Sequence, residues 1–104
     1  MTELITNMTE VRPIILQDEI HYKNHDVLYK QLALTERVGI YLVAFDKAQH
    51  IETKGSEGDA LLTAIEGHAR IVVGGKLTEL QEGRTILLPA GVPHRVEAYG
   101  RFKM

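Results

Sequence analysis

The sequence predicts an all-β domain with little helix, and two features of the chain indicate this fold class. Eight of the nine glycines lie after residue 54, where they separate short apolar stretches. Turn residues at intervals of about 8–12 between short strands are typical of a sandwich or a barrel. No segment combines a sustained 3.6-residue apolar period with helix caps. We therefore expect seven to ten short strands and no helix longer than about three turns.

The N-terminal residues 1–20 form an arm in this prediction, and residues 21–104 form the domain. Residues 1–10 show no apolar period, which is typical of a mobile tail. The segment from Leu16 to Ile20 follows Pro13 and fits either one helical turn or an extended arm.

Seven stretches that are either apolar or alternate apolar with polar residues follow the arm, and we predict each of them to be a strand. The stretch from Ile40 to Phe45 is apolar at every position, as expected for a strand buried on both faces. The pair Gly74-Gly75 permits the positive φ of a tight hairpin between two stretches. The stretches are residues 27–34, 40–45, 60–65, 69–73, 76–81, 85–88 and 92–99. Their central residues supply the predicted core: Leu42, Ala44, Leu62, Ile71, Val73, Ile86 and Leu88.

The composition excludes several classes of function. Twelve Lys and Arg against fourteen Asp and Glu give a net charge of -2, so there is no electrostatic basis for binding nucleic acid or an anionic membrane. The absence of cysteine excludes disulfides, thiolate zinc sites and iron–sulfur clusters. The longest apolar run, from Gly39 to Phe45, is far shorter than the roughly 20 residues of a membrane span. We expect a cytoplasmic protein, because the N-terminus also lacks the charge and apolar pattern of a signal peptide.

The most specific segment runs from Gly83 to His94 and reads Gly-Arg-Thr-Ile-Leu-Leu-Pro-Ala-Gly-Val-Pro-His. It predicts a strand, a tight turn at Pro89 and Gly91, and a second strand. The pattern G-x5-P-x-G-x2-H resembles the second motif of the cupin superfamily, although position 98 is Ala where the family usually has Asn. With the segments around residues 45–49, 58–61 and 74–76, the resemblance to small single-domain cupins covers residues 25–104. It implies a double-stranded β-helix, or jelly-roll barrel.

The resemblance also implies which positions would hold the usual metal of the family. The first cupin motif reads G-x5-H-x-H-x3,4-E-x6-G, and its last glycine matches Gly67. The glutamate position then falls on Ala60, and the two histidine positions fall on Lys54 and Ser56. Of the four usual ligands only His94 is present, and an ammonium group has no lone pair for a metal. We therefore expect no cofactor and no cupin metal centre.

A displaced metal site is an alternative. His50 and Glu52 share parity on a predicted strand and would point to one side. If that side is the barrel interior, they could join His94 in a two-histidine, one-carboxylate set for iron, nickel or zinc.

The resulting hypothesis is a barrel that binds a small anionic or polyhydroxylated molecule through Lys54, Ser56 and His94, without the family metal. A first alternative is a metal-independent isomerase, epimerase or lyase with His94 and Lys54 as acid and base. A second is a small dioxygenase-like metalloenzyme with the displaced site. The resemblance and the apolar segment 27–45 predict a homodimer. Arg84 stands where the family usually has an acidic residue, and the sequence offers no reason for that exchange.

Overall fold

The all-β prediction is confirmed by a computed structural model, which describes residues 11–104. Within these residues it contains one short 3-10 helix, Leu16–Glu19, and the following strands: β1 (Val27–Leu34), β2 (Gly39–Phe45), β3 (His50–Thr53), β4 (Ala60–Thr63), β5 (Ala69–Val73), β6 (Lys76–Leu80), β7 (Thr85–Leu88), β8 (His94–Ala98) and β9 (Phe102–Lys103). The helical turn after Pro13 is thus the correct alternative for the arm. The mobile tail expected at residues 1–10 lies outside the described residues. No helix between residues 11 and 104 has the length and apolar character to cross a membrane.

The strands form three antiparallel sheets that enclose one barrel. Their orders are β1-β2-β9, β3-β8-β5-β6 and β4-β7. The hairpin between β5 and β6 turns at Gly74 and Gly75, whose φ angles are 56° and 81°, as predicted for this pair. This architecture is that of the jelly-roll barrel.

The main apolar cluster fills the barrel. Its buried members are Val43, Phe45, Leu62, Ala64, Ala69, Ile71, Leu80, Leu88, Val96, Ala98 and Phe102. The rings of Phe45 and Phe102, both fully buried, pack with centroids 5.6 Å apart. The predicted core residues Val73 and Ile86 are only half-buried and pack against this cluster. Burial of these apolar side chains is the main force that holds the sheets together.

A second apolar cluster lies on the outer face of the β1-β2 sheet. It consists of Ile20, Leu32, Leu42 and Ala44, so the predicted core residues Leu42 and Ala44 belong outside the barrel. Ile20 is the residue of the arm that packs in this cluster.

A buried lysine fastens the arm over this outer cluster. Lys103 donates a hydrogen bond to the carbonyl of Gln17 and lies 3.6 Å from the carboxylate of Glu66. Its ammonium also lies 4.7 Å from the centre of the Tyr22 ring. The charge of Lys103 is therefore buried with partners, and the segment from Gln17 to Tyr22 packs as part of the folded domain.

The prediction that Ile40 to Phe45 is buried throughout is wrong for the first half of β2. Residues from Leu42 to Phe45 are buried, whereas Ile40 is 50% exposed and Tyr41 is 45% exposed. Among residues 11–104, β9 pairs with Ala44 and Phe45 at one end of β2, and no strand of these residues pairs with the other half of β2 on that edge. A run of apolar residues does not show whether a neighbouring strand covers it.

Candidate functional site

His94 is the first residue of β8, which lies between β3 and β5. It stands opposite Thr53 on one side and Val73 on the other. Because Val96 two residues later is fully buried in the barrel, His94 also points to the inner face. The residue is half-buried, and its imidazole has no hydrogen-bond or ion-pair partner within residues 11–104. The imidazole can therefore contact a ligand bound at this end of the barrel.

The turn before His94 is tied to the loop after β3. The backbone N–H of Gly91 donates to the carbonyl of Ser56 at 2.8 Å, and the N–H of Ala90 donates to Oδ1 of Asp59 at 2.8 Å. Gly55 has a φ of 132°, and a Cβ there would lie 2.9 Å from the carbonyl carbon of Gly91. The close approach therefore requires glycine at residue 55. These contacts build one rim of the barrel from the Gly83–His94 segment and the loop at the position of the first family motif.

Lys54 and Ser56 lie on this rim. Lys54 directly follows β3, is exposed, and its ammonium has no partner in the described part of the chain. Ser56 is also exposed, and its hydroxyl donates to the carbonyl of Gly58 at 2.8 Å. The structure thus brings Lys54, Ser56 and His94 to one rim, with only His94 on the inner face.

The structure does not bring the three side chains of the displaced metal site together, because His50 and Glu52 lie on the opposite face of the sheet from His94. His50 and Glu52 stand opposite Glu97 and Arg95, which alternate with the inward residues of β8. Both are exposed on the outer face, where Glu52 lies 3.7 Å from a guanidinium nitrogen of Arg95. Among residues 11–104 no three His, Asp or Glu side chains are grouped to hold a metal ion. The two side chains point to the same side of β3, as expected, but that side is the solvent-exposed face of the sheet.

The residues at the positions implied by the family resemblance do not fit a divalent metal either. Lys54 and Ala60 supply no lone pair, and the Ser56 hydroxyl is bonded within its own loop. One imidazole is not a sufficient ligand set for a first-row metal. No step of a mechanism can be assigned to a metal held by these side chains.

Thr53 is a site residue that the sequence analysis missed. It stands directly opposite His94 in the β3–β8 ladder, so the two side chains share the inner face. Its hydroxyl can donate and accept hydrogen bonds beside the imidazole. The only signal for Thr53 is the pairing register, which the sequence alone does not contain.

A separate cavity of about 820 Å³ lies between β2 and β4. Its two walls are residues 39–43 and 60–63, and Leu88 and Met104 also line it. Tyr29 on β1 contributes to the lining, and burial raises the pKa of its phenol. The sequence analysis predicted no site here.

Comparison with known proteins agrees with this architecture. A family model described as "Cupin domain" matches residues 41–104. The crystal structure of a conserved protein of unknown function from Streptococcus pyogenes is 31% identical, with a TM-score of 0.92, and covers 99% of this chain and 90% of its own. A cupin superfamily protein from Desulfitobacterium hafniense is 30% identical, with a TM-score of 0.90, over 96% of this chain and 92% of its own. A search of functionally curated proteins found no match.

A more distant likeness extends to an enzyme. Salicylate 1,2-dioxygenase from Pseudoaminobacter salicylatoxidans shares the fold with a TM-score of 0.70 at 18% identity, and this chain spans 26% of its length. That likeness shows the fold alone, because function depends on the residues of the site. Both the family match over residues 41–104 and the 31% identical structure support the resemblance seen in the sequence. The chain therefore belongs to the cupin family.

Proposed function

We propose that the protein binds a small molecule with carboxylate or hydroxyl groups at the His94 rim of the barrel and does not use the family metal. The observation that carries this proposal is the half-buried His94 imidazole, which faces the barrel interior without a protein partner. Among residues 11–104 no buried side-chain nitrogen or oxygen lacks a partner, so the ring nitrogens of His94 are open to solvent and can be reached by a ligand. The adjacent Thr53 hydroxyl adds a second polar group on the same face.

Lys54 supplies the charge in this proposal. Its exposed ammonium is one residue beyond Thr53, at the rim through which a ligand would enter. A lysine side chain is flexible and its charge is strongly hydrated, so it can follow a carboxylate at the mouth of a pocket. Ser56 holds the rim through its carbonyl, which accepts the Gly91 amide. The ligand class is therefore small carboxylates and sugar acids.

We favour binding over catalysis. An isomerase, epimerase or lyase needs an acid and a base placed on the reacting atoms. His94 faces the interior, whereas Lys54 is exposed and has no contact with it, so the geometry supports only one such group. We also propose that the protein forms a homodimer. The outer edge of β1 pairs with no strand in the described residues and is the edge available to a second copy.

Calorimetric titration with a panel of small carboxylates and sugar acids tests the proposal. For any ligand that binds, His94→Gln and Lys54→Met should each weaken binding by about tenfold or more, since each removes one charge-assisted or polar contact. His68→Gln is the matched control, because His68 is exposed and stacks on Tyr99 at a ring distance of 5.0 Å. Equal binding by the parent and His94→Gln would contradict the proposed site.

A further inference from the structure

A second cleft lies at the end of β3 and β8 opposite to the His94 rim. His94 begins β8 and pairs with Thr53 at the end of β3, whereas Lys47 precedes β3 and Gly100 follows β8. The cleft has a volume of about 380 Å³, and we call it the Arg101 cleft. Three segments form its walls: the one before β1, the turn after β2, and the one between β8 and β9. The lining residues are Asn24, His25, Asp46, Lys47, Gly100 and Arg101.

The guanidinium of Arg101 is fixed by three contacts that leave one of its edges free. Its Nε donates to Oδ1 of Asp46 at 3.1 Å, and its Nη2 donates to Oδ1 of Asn24 at 3.0 Å. Its central carbon lies 4.9 Å from the centre of the Tyr22 ring. Nη1 has no partner among residues 11–104, so Nη1 and Nη2 keep two adjacent N–H groups available. Such an edge binds two oxygens of one oxyanion.

The charges around the cleft leave one cation without a counter-ion. Asp46 is paired with Arg101, and the carboxylate of Asp26 lies 3.6 Å from the ammonium of Lys23. Lys47 is exposed, and its ammonium has no partner in the part of the chain that the structure describes. The cleft therefore carries positive charge that an anion can neutralise.

The backbone at the cleft adopts a conformation that side chains disfavour. Among residues 11–104, His25 and Ala48 are the two non-glycine residues with a positive φ, at 61° and 64°. Ala48 is the third residue of a turn closed by the Gln49 amide, which donates to the carbonyl of Asp46 at 3.2 Å. Glycine is usual at such a position. Strained conformations of this kind are concentrated at functional sites, and both flank this cleft.

We propose that the Arg101 cleft binds a phosphate group, either as the free ion or on a small phosphate monoester. The phosphate group presents three acceptor oxygens. The cleft presents three sets of side-chain donors, which are the Arg101 edge, the Lys47 ammonium and the His25 imidazole. The Gly100 amide makes no backbone hydrogen bond within residues 11–104 and adds a fourth donor. A carboxylate has only two oxygens and would leave one of these groups without a contact.

A divalent cation fits the cleft less well than an anion. Both carboxylate oxygens of Asp46 already accept hydrogen bonds, one from the His25 amide and one from Arg101. The neighbouring ammonium and guanidinium groups repel a cation. Residues 11–104 also contain no group of three His, Asp or Glu side chains that could hold a metal ion.

NMR titration of the whole chain with inorganic phosphate, methyl phosphate and acetate tests the proposal, at constant pH and ionic strength. Either phosphate, at millimolar concentrations, should cause saturable shifts of the Lys47 and Gly100 amides and of the Arg101 Nε–H. Tighter binding of methyl phosphate would identify a monoester as the better ligand, and tighter binding of inorganic phosphate would identify the free ion. Acetate should bind at least about fivefold more weakly. The amides of Thr53 and His94 should not shift, because they lie at the opposite end of β3 and β8.

Two lysine variants separate a built site from a general effect of charge. Lys47→Gln should weaken phosphate binding by about fivefold or more, because it removes the cation without a counter-ion. Lys23→Gln is the matched control, since it removes the same charge from an exposed lysine that does not line the cleft. It should weaken binding by less than about twofold, because exposed charges at a distance are screened by salt.

Three results would overturn the proposal. They are the absence of saturable shifts with either phosphate, equal losses of affinity in Lys47→Gln and Lys23→Gln, and binding of acetate as tight as that of the phosphates.

Discussion

Asp46 is a buried carboxylate at the end of β2, only 6% exposed. It accepts a hydrogen bond from the backbone N–H of His25 at 2.7 Å and another from Nε of Arg101 at 3.1 Å. These contacts lower the pKa of Asp46 to about 2. The hydrogen bond from the His25 amide has the larger effect, followed by that from the Arg101 side chain. His25 itself has a φ of 61°, and the bond to Asp46 helps to hold that left-handed conformation.

The low pKa of Asp46 predicts an acid dependence of stability. A carboxylate whose pKa is lower in the folded state than in the unfolded chain stabilises the fold at pH values above its pKa in the unfolded chain, which is near 4. That contribution is lost as the pH falls from about 4 through the folded pKa of about 2. Asp46→Asn should therefore flatten the dependence of the unfolding free energy on pH in this window. Urea unfolding at pH 2 to 5 measures it.

The control for this experiment is Asp18→Asn, which removes an exposed carboxylate from the 3-10 helix. It should leave the pH dependence of the parent largely intact. If Asp46→Asn keeps the full slope between pH 4 and 2, other groups cause the acid sensitivity.

Gly67 lies where the segment after β4 packs closely against the backbone just before β9. Its φ is 75°, and a Cβ at this position would lie 2.5 Å from the carbonyl oxygen of Arg101. Its amide donates to a carboxylate oxygen of Glu82 at 3.0 Å. Both the backbone conformation and the space at this junction therefore require glycine. Gly75, in the β5–β6 hairpin, has a similar φ of 81° with no atom within 4 Å of the added Cβ.

This contrast predicts different costs for two alanine substitutions. Gly75→Ala carries only the cost of a left-handed alanine, about 1 kcal/mol. Gly67→Ala should cost about 2–4 kcal/mol, because the backbone carbonyl of Arg101, just before β9, must also move. Denaturant unfolding of both variants measures the difference. Equal costs would show that the β4–β9 junction is loose enough to admit a methyl group.

The whole molecule is organised by two apolar clusters on opposite faces of the β1-β2-β9 sheet. The main apolar cluster, inside the barrel, contains residues of all three sheets. The outer cluster contains Ile20 and so joins the arm to the same domain. Because one sheet contributes to both clusters, we expect the arm and the barrel to unfold together.

Substitutions in the two clusters test this cooperativity. Leu62→Ala should cost about 2–4 kcal/mol, and Ile20→Ala should cost about 2 kcal/mol or more. Each should lower the midpoint of a single transition seen by both circular dichroism and tyrosine fluorescence. Leu77→Ala, at a residue 54% exposed, is the control and should change stability by less than about 0.5 kcal/mol. A separate early transition in Ile20→Ala would mean that the arm unfolds independently.

The sequence predicted more of the fold than of the site. Glycine spacing and the Gly83–His94 pattern led to the jelly-roll barrel, since turns and a tight motif are specified by neighbouring residues. Parity on β3 correctly grouped His50 with Glu52 but could not tell which face was inside. Thr53 was missed for the same reason, because its position beside His94 depends on pairing with a strand forty residues away.

The sequence by itself determined the all-β class, the glycine turns and the family. These properties depend on residue types and short spacings, which can be read without knowing the tertiary contacts. Only the tertiary structure decided which face of each strand is buried, that Ile20 packs against the outer face of the β1-β2 sheet, and that a cavity lies between β2 and β4. The physical reason is that burial and hydrogen-bond pairing depend on neighbours distant in sequence, and an apolar strand has the same local pattern whether or not a second strand lies beside it.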